Sequence, residues 1–383
     1  MESAVTVIIG GGVVGASVAW HLAERGETDV LILERGPRQG LGSTGAATGG
    51  VRAQFETDIN ILMSRYSIDF FNNWEHECGY EPRGYLFFAT TPEHVDYLHT
   101  NVLRQQELGI EGVRMVDCDE IRELVPGMNC DDVLGGSFGA RDGFIDPLAI
   151  MQGFTDGALS KGARLKTETN VLSIKTTNGR VTGVETDLGE IACERVVLCT
   201  GAWAKELAAT AGIALPVEPM RRQIVWAKSR EPLPAGLPMV IDLGCGFHFR
   251  PAKNSDRELM FAYPDPDEGP SFCTDLDDDF LEKMRERARM RAPFLYETEV
   301  IRDKCRVGLY ENTPDHHAIL GTCDVEGLYL ANGFSGHGVM HSPATGRALA
   351  EIILDGGSTF LDVTPLQLSR FLEGRLLHET AFI

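Results

Sequence analysis

Positive charge is scarce in this chain. Its 383 residues carry 35 Lys and Arg against 56 Asp and Glu, a formal net charge of −21. That balance speaks against nucleic acid or an anionic membrane surface as partner, and any anionic ligand needs a local cationic pocket. Nine cysteines, at 78, 118, 130, 193, 199, 245, 273, 305 and 323, are scattered, odd in number and never spaced CxxC. A disulfide framework or a zinc site is therefore not expected, and reduced thiols in a cytoplasmic protein are. No run approaches the ~20 apolar residues that span a bilayer. The apolar beginning lacks a basic leader and is broken by glycines and Glu24, unlike a signal peptide. Low-complexity tracts and repeats of fixed period are absent as well. What remains is the composition of a globular enzyme, 43% hydrophobic and 24% charged, long enough for two domains.

The strongest positive signal spans Val5 to Glu34. An apolar β-branched run, Val5 to Ile9, stops at Gly10-Gly11-Gly12-Val13-Val14-Gly15, a helical pattern follows, and a second apolar run, Val30 to Leu33, ends in Glu34. Strand, glycine turn, helix, strand and acid in this order form a dinucleotide-binding unit. Gly10 allows the tight turn, Gly12 lets the backbone approach a pyrophosphate, and Gly15 lets helix and strand pack closely. The helix N-terminus offers free N–H groups and the positive end of a dipole. Glu34, 19 residues beyond Gly15, can accept from ribose hydroxyls, with Arg35 beside it. The fingerprint alone does not separate NAD from FAD.

Further along, helices are expected from about Asp58 to Glu77, Pro92 to Leu108, from Pro147, and Asp275 to Arg291. Strands are expected at Tyr85 to Ala89, Leu165 to Thr167, Val171 to Thr176, Val181 to Thr186 and Val196 to Cys199. The acidic, prolyl stretch Tyr263 to Pro270 reads as an exposed loop whose charges only face water. Near the far end a strand, Leu328 to Ala331, runs into Gly333-Phe334-Ser335-Gly336-His337-Gly338-Val339-Met340. A helix is expected to follow with Ser342 as N-cap and Pro343 in its first turn.

Taken in order, GGGVVG with Glu34, STGAATGGVR at 43–52, VVLCTGAW at 196–203, LYENTPDHHAILG at 309–321 and NGFSGHGVMHSPATG at 332–346 resemble the D-amino acid oxidase superfamily of FAD enzymes. Within it the chain is most similar to the branch of sarcosine oxidase, glycine oxidase and the proline dehydrogenase β subunit. The resemblance implies an α/β fold: a Rossmann-like FAD-binding domain (1–84, 145–217 and 318–383) with an inserted antiparallel-sheet α+β substrate domain (85–144 and 218–317). It places Ser43, Thr44, Thr48 and Gly49 along the pyrophosphate and ribityl chain, and Val171 at the adenine. Thr200, Gly201 and Trp203 would close the adenosine side. Gly336, His337, Gly338, Val339 and Met340 would set N–H groups against the flavin pyrimidine, where reduced flavin carries negative charge. Relatives with covalent flavin carry a cysteine where this chain has Gly308, with Cys305 three residues away, so non-covalent FAD is expected.

The resemblance also shows departures. Where glycine oxidase-like relatives place a carboxylate-binding arginine, this chain has Tyr310. Where monomeric sarcosine oxidase has lysines, it has Met340 and Met260. Arg52, His248 and Tyr310 are then the candidate substrate residues, with Arg250 behind them. His316, His317 and Asp315 suggest metal ligation only superficially, since nothing completes a ligand set. The implied activity is oxidation of an amino acid, preferably a secondary amine bearing a carboxylate (sarcosine, iminodiacetate, opine, glycine or proline type). Hydride would pass to flavin N5, the imine would hydrolyse, and O2 would be reduced to H2O2. The alternatives are a dehydrogenase using a quinone or partner subunit, a 2-hydroxy acid dehydrogenase, and a non-enzymatic flavoprotein assembly factor. A homo-oligomer is compatible with all of them.

Overall fold

The computed structural model describes residues 2–380. Thr6–Ile9, four β-branched residues, and Val30–Leu33 are buried throughout. Such uninterrupted apolar runs suit parallel strands covered on both faces. They form the centre of a six-stranded sheet in the order Ile319–Thr322, Leu328–Asn332, Arg195–Leu198, Thr6–Ile9, Val30–Leu33, Arg164–Lys166. Every pairing is parallel except that of the edge strand Ile319–Thr322. Alternate residues face opposite ways. Ile8, Ile32 and Val197 pack under the helices Val13–Glu24 and Gly338–Asp355, with Val18, Leu22 and Leu349. Val7, Leu31 and Val196 face a small sheet that contains Val171–Thr177, Arg180–Thr186 and Gly189–Ala192.

Segments 85–139 and 218–312 feed a nine-stranded sheet. Its long strand Glu218–Ser229 pairs with both Thr298–Val300 and Arg306–Asn312. Beyond it lie Glu258–Ala262, His248–Pro251, Met239–Asp242, Tyr85–Ala89, Gly135–Gly139 and Val113–Val116. All pairings are antiparallel except that of Met239–Asp242 with Tyr85–Ala89. One face, with Leu86, Phe88, Val225, Val240, Phe249 and Phe261, is packed with the helix Asp278–Arg291 through Phe280 and Met284. The opposite face carries Tyr85, Met239, Ile241, His248, Ala262, Ile224 and Arg222, and it lines a cavity.

Two expectations are corrected. The last long helix begins at Gly338, with His337 as its N-cap residue, not at Ser342. Pro343 sits inside it and offers no N–H to the Val339 carbonyl; the Ser342 hydroxyl donates to that carbonyl instead at 2.8 Å. The helix therefore starts directly at the glycine loop. Nor do the acids of 263–270 merely face water. Glu268 pairs with Arg221 at 2.8 Å and Asp265 with Lys283 at 2.7 Å, both acids largely buried, while Lys283 also reaches Asp267.

A buried ion pair helps to tie down the C-terminal segment, which Glu379 also anchors by accepting from Glu56 and Thr57. Arg370, wholly inaccessible, donates to both oxygens of Asp315 at 2.8 and 2.9 Å and to the carbonyls of Leu366 and His317. Burial alone would raise the Asp315 carboxyl, but Arg370 outweighs it and holds the pKa below the usual range. Arg370→Ala should leave that carboxylate buried and unpaired and lower unfolding free energy by about 3–5 kcal/mol. Chemical denaturation measures this, and a loss below about 1 kcal/mol would mean that Asp315 finds another partner.

Candidate active site

Between the six-stranded and nine-stranded sheets lies an elongated cavity of about 890 Å³. At one end Gly10 adopts φ +104°, and a Cβ there would stand 2.3 Å from the Cys199 carbonyl oxygen. Only glycine permits this crossing. Gly12 caps the helix Val13–Glu24, whose first N–H groups have no acceptor within the helix. Gly15 does not line the cavity; its absent Cβ would meet the Gly10 carbonyl oxygen at 2.1 Å, the close packing expected of it. Glu34 is oriented by the N–H groups of Gly11 at 3.1 Å and Gly36 at 2.8 Å, one on each oxygen. Both oxygens keep lone pairs for a ligand. The Arg35 guanidinium lies 3.7 Å over the Trp203 ring, and Trp203 stacks on Phe272.

In the middle of the cavity two hydroxyls are partly engaged. Thr44 Oγ1 accepts from the Val13 N–H at 3.1 Å, and Ser43 Oγ donates to the Leu309 carbonyl at 2.6 Å. Gly308 faces Ala46, and a Cβ at 308 would stand 2.7 Å from the Ala46 methyl. Arg250 is absent from the lining. It donates to the Thr48 carbonyl and lies 4.4 Å over Phe144, so it braces the 48–49 backbone.

The far end is closed by the loop Gly333 to Gly338. Gly336 has φ +97°, and a Cβ there would strike the Tyr310 ring at 2.5 Å. Arg52 is buried, donates to the Gln54 carbonyl and lies 3.8 Å over Phe55. Burial pushes its pKa down, and negative charge led by Glu379 opposes this. The segment that carries it is anchored by Asp142, which accepts from the Ala53 N–H at 2.7 Å and from Gln54 at 2.9 Å. Burial pushes Asp142 up to about 7 against those donors. His248 Nδ1 lies 2.9 Å from the Gly246 carbonyl, which can only accept. Nδ1 therefore carries the hydrogen and Nε2 presents a lone pair. Burial lowers this histidine to about 4, against the Gly246 hydrogen bond, so the ring is neutral at ordinary pH.

Apart from Gly15 and Arg250, every candidate cofactor or substrate residue named from the sequence lines this one cavity: Gly10, Gly12, Val13, Val14, Glu34, Arg35, Ser43, Thr44, Thr48, Gly49, Arg52, Val171, Thr200, Gly201, Trp203, His248, Tyr310 and Gly336 to Met340. Met260 lies outside it, in a small cluster with Ile224, Ala262 and Trp226. Sequence reasoning missed Tyr85, Cys199, Arg222, Phe272 and Glu311, which also line it. Burial pushes Glu311 up to about 7, against the Gly333 and Phe334 N–H groups. Only the period-two alternation of Glu218–Ser229 could have singled out Arg222 from Arg221, and that needs a known inward face.

A dinucleotide fits these residues. Thr200 Oγ1, His337 Nε2 and Glu311 Oε2 are buried without protein partners, and all three residues line the cavity. Such orphaned groups suit a polar ligand. Two helix N-termini and the cavity-lining carboxylate of Glu34 complete the cradle. A parallel sheet presenting two glycine-loop helix starts to one cavity, roofed by a second sheet, is the architecture of a dinucleotide-dependent oxidoreductase. The chain belongs to the DAO family of FAD dependent oxidoreductases, whose family model matches residues 6–352.

FAD-dependent oxidoreductase domain-containing protein 1 of Xenopus laevis is 30% identical over 419 residues, covering 97% of this chain and 83% of that protein. Human mitochondrial dimethylglycine dehydrogenase is 30% identical over 395 residues, 97% of this chain but 44% of that enzyme. The crystal structure of L-proline dehydrogenase from P. horikoshii superposes with a TM-score of 0.91 at 30% identity, covering 98% of this chain and all of that one. Among the described residues no helix is long and apolar enough to cross a membrane.

A neutral His248 makes a prediction for kinetics. The pH profile of kcat/KM should show no His248 inflection between about pH 5.5 and 8.5, so His248→Gln should leave its shape unchanged. An inflection in the parent enzyme that disappears in the variant would show that this ring titrates there.

Proposed function

We propose that this FAD-dependent oxidoreductase oxidises the C–N bond of an amino acid, preferably a secondary amine carrying a carboxylate, such as a sarcosine, iminodiacetate, opine, glycine or proline type compound. The observation that carries the reading is the convergence of Arg52, His248 and Tyr310 on the cavity end closed by the loop Gly333 to Gly338. Arg52 offers the carboxylate a guanidinium that can bind it through two parallel hydrogen bonds. The neutral His248 offers a lone pair to the amine N–H, and Tyr310, packed on Gly336, limits the space above the loop. When bound, FAD would supply the two-electron acceptor for a hydride from the carbon beside nitrogen, with O2 as the final oxidant. The chain's own contribution is orientation and exclusion of water, with no strong base required. The first-turn N–H groups of Gly338, Val339 and Met340 favour negative charge at the end of the cavity they face.

Several features support non-covalent FAD. Gly308 has no nucleophile and Ala46 leaves little room for one. Cys305 packs with Trp226, and burial pushes the Cys199 thiol far above its ordinary pKa, keeping it protonated. All nine cysteines are free, which supports a reducing compartment and, on our reading, the cytoplasm. The competing reading is a dehydrogenase that delivers electrons to a quinone or partner subunit. The absence of a lysine at position 260, where the resemblance would put an oxygen-activating one, is compatible with it.

Anaerobic mixing with a panel of amines and hydroxy acids, followed by air, separates these readings. Bleaching by secondary amino acids and rapid recovery in air is the expected result, whereas bleaching by hydroxy acids alone would refute amine oxidation, and slow recovery would favour the dehydrogenase. Arg52→Ala should raise KM for a carboxylate substrate about 10- to 150-fold while FAD stays bound. An unchanged KM would remove Arg52 from carboxylate binding. Acid precipitation should release FAD into the supernatant, and flavin retained in the pellet would overturn non-covalent attachment.

A further inference from the structure

One carboxyl group in the cavity lining has little to answer it. Gly308 to Glu311, four successive residues of the strand Arg306–Asn312, all line the cavity. Gly308 faces Ala46, the Leu309 carbonyl accepts from Ser43, and Tyr310 packs on Gly336. Glu311 follows, where the strand meets the late glycine loop. Its main-chain carbonyl accepts from the Ser335 N–H at 3.3 Å, and the Gly333 and Phe334 N–H groups lie against its carboxyl. Its charge also reaches the Cys199 thiol, and the Cys199 carbonyl is the group that Gly10 crosses. Glu311 thus neighbours both glycine loops.

An ionised carboxyl offers about four lone-pair sites, and two N–H groups fill at most two of them. Oε2 is buried with no hydrogen-bond partner, and among the described residues no cation pairs with this carboxyl. Burial accordingly pushes it up to about 7. The residue still keeps partial accessibility, through the cavity that it lines. A ligand suited to this place brings a hydrogen-bond donor.

The parts of FAD differ in what they can give. Its phosphates are anions without a proton to donate, and a carboxylate repels them; they suit the helix start after Gly12. The adenosine end has its own acid, Glu34. The flavin ring offers a single donor, N3–H, at its pyrimidine edge. The ribityl chain, which bridges pyrophosphate and ring, carries three hydroxyls that donate while uncharged. We propose that Glu311 binds a ribityl hydroxyl of FAD, its carboxyl accepting the hydrogen bond. The contact fixes how far along the cavity the ring can reach. It rests on the non-covalent reading above and is independent of which amine is oxidised.

The test uses the full-length holoenzyme. It is equilibrated with mixtures of FAD and one analogue, lacking the 2′-, 3′- or 4′-hydroxyl or methylated at N3. Acid then releases the bound flavin, and chromatography of it gives the affinity ratio of FAD to each analogue. The parent should prefer FAD about tenfold or more over one deoxy analogue. Glu311→Met should reduce that preference to within about twofold and leave the other ratios unchanged. Glu311→Gln keeps an oxygen for the loop N–H groups but loses the charge, and should lower the same preference about threefold or more.

A parent with no preference against any deoxy analogue overturns the proposal. So does a Glu311→Met variant that binds FAD and every analogue more weakly by the same factor, which would make the carboxyl a support for the loop alone. A preference lost against the N3-methyl analogue instead would assign Glu311 to the ring edge and refute the ribityl contact. If Glu311→Met holds no flavin, Glu311→Gln decides, and an unchanged preference there refutes it. Acid precipitation tests non-covalent attachment by itself, so its failure and that of the ribityl contact are told apart.

Discussion

The parallel alignment of three central strands is the constraint on which the site depends. Thr6–Ile9 and Leu328–Asn332 both run parallel to Arg195–Leu198, one on each side. Their C-terminal ends must then lie along one edge of the sheet, and so must the loops that follow. Gly10 to Gly15 and Gly333 to Gly338 are separated by more than 300 residues, yet they open onto the same cavity. Each starts a helix there, so two sets of unsatisfied N–H groups and two positive dipole ends meet in one place. The sheet's buried faces, with Ile8 and Val197 under helices and Val7 and Val196 under the small sheet, leave that edge as the open side.

The nine-stranded sheet supplies what the parallel sheet lacks. Its cavity face mixes apolar residues such as Ile224, Met239 and Ile241 with a few directed polar groups: Arg222, His248 and Tyr310. Burial acts on these groups in one consistent sense, disfavouring charge. His248 is neutral and its carbonyl partner decides which nitrogen holds the hydrogen. The arginines cannot respond in this way, so they persist as cations in a low-dielectric space. An acidic protein thus keeps cationic groups in a buried cavity. Its own acids near the pocket mouth are held back by pairing, Glu268 with Arg221 and Asp265 with Lys283.

Much of this was legible along the chain. The glycine fingerprint with Glu34, the STGAATGGVR segment and the late glycine loop each named residues that do line the cavity. The errors have local causes. Ser342-Pro343 looks like a helix start because those residue types favour one, yet here the serine hydroxyl compensates a proline inside the helix. The run Tyr263 to Pro270 looks like a solvated loop because its partners, Arg221 and Lys283, are distant in sequence or unremarkable. Arg221 and Arg222 are adjacent and chemically identical, and only strand register sends one to the acids and the other to the cavity. Glu311, with one oxygen orphaned, carried no local signal at all.

By itself, then, the sequence determined the dinucleotide unit, the order of the segments around it and their family, because close backbone approach and helix starts are encoded by neighbouring residues. The tertiary structure decided which side chains share the end of the cavity closed by the late glycine loop. It set Arg52, Arg222, His248 and Tyr310 together from four separate segments, and burial there keeps the histidine neutral and disfavours charge on both arginines. Those properties come from burial and from strand register, which depend on residues far apart in the chain.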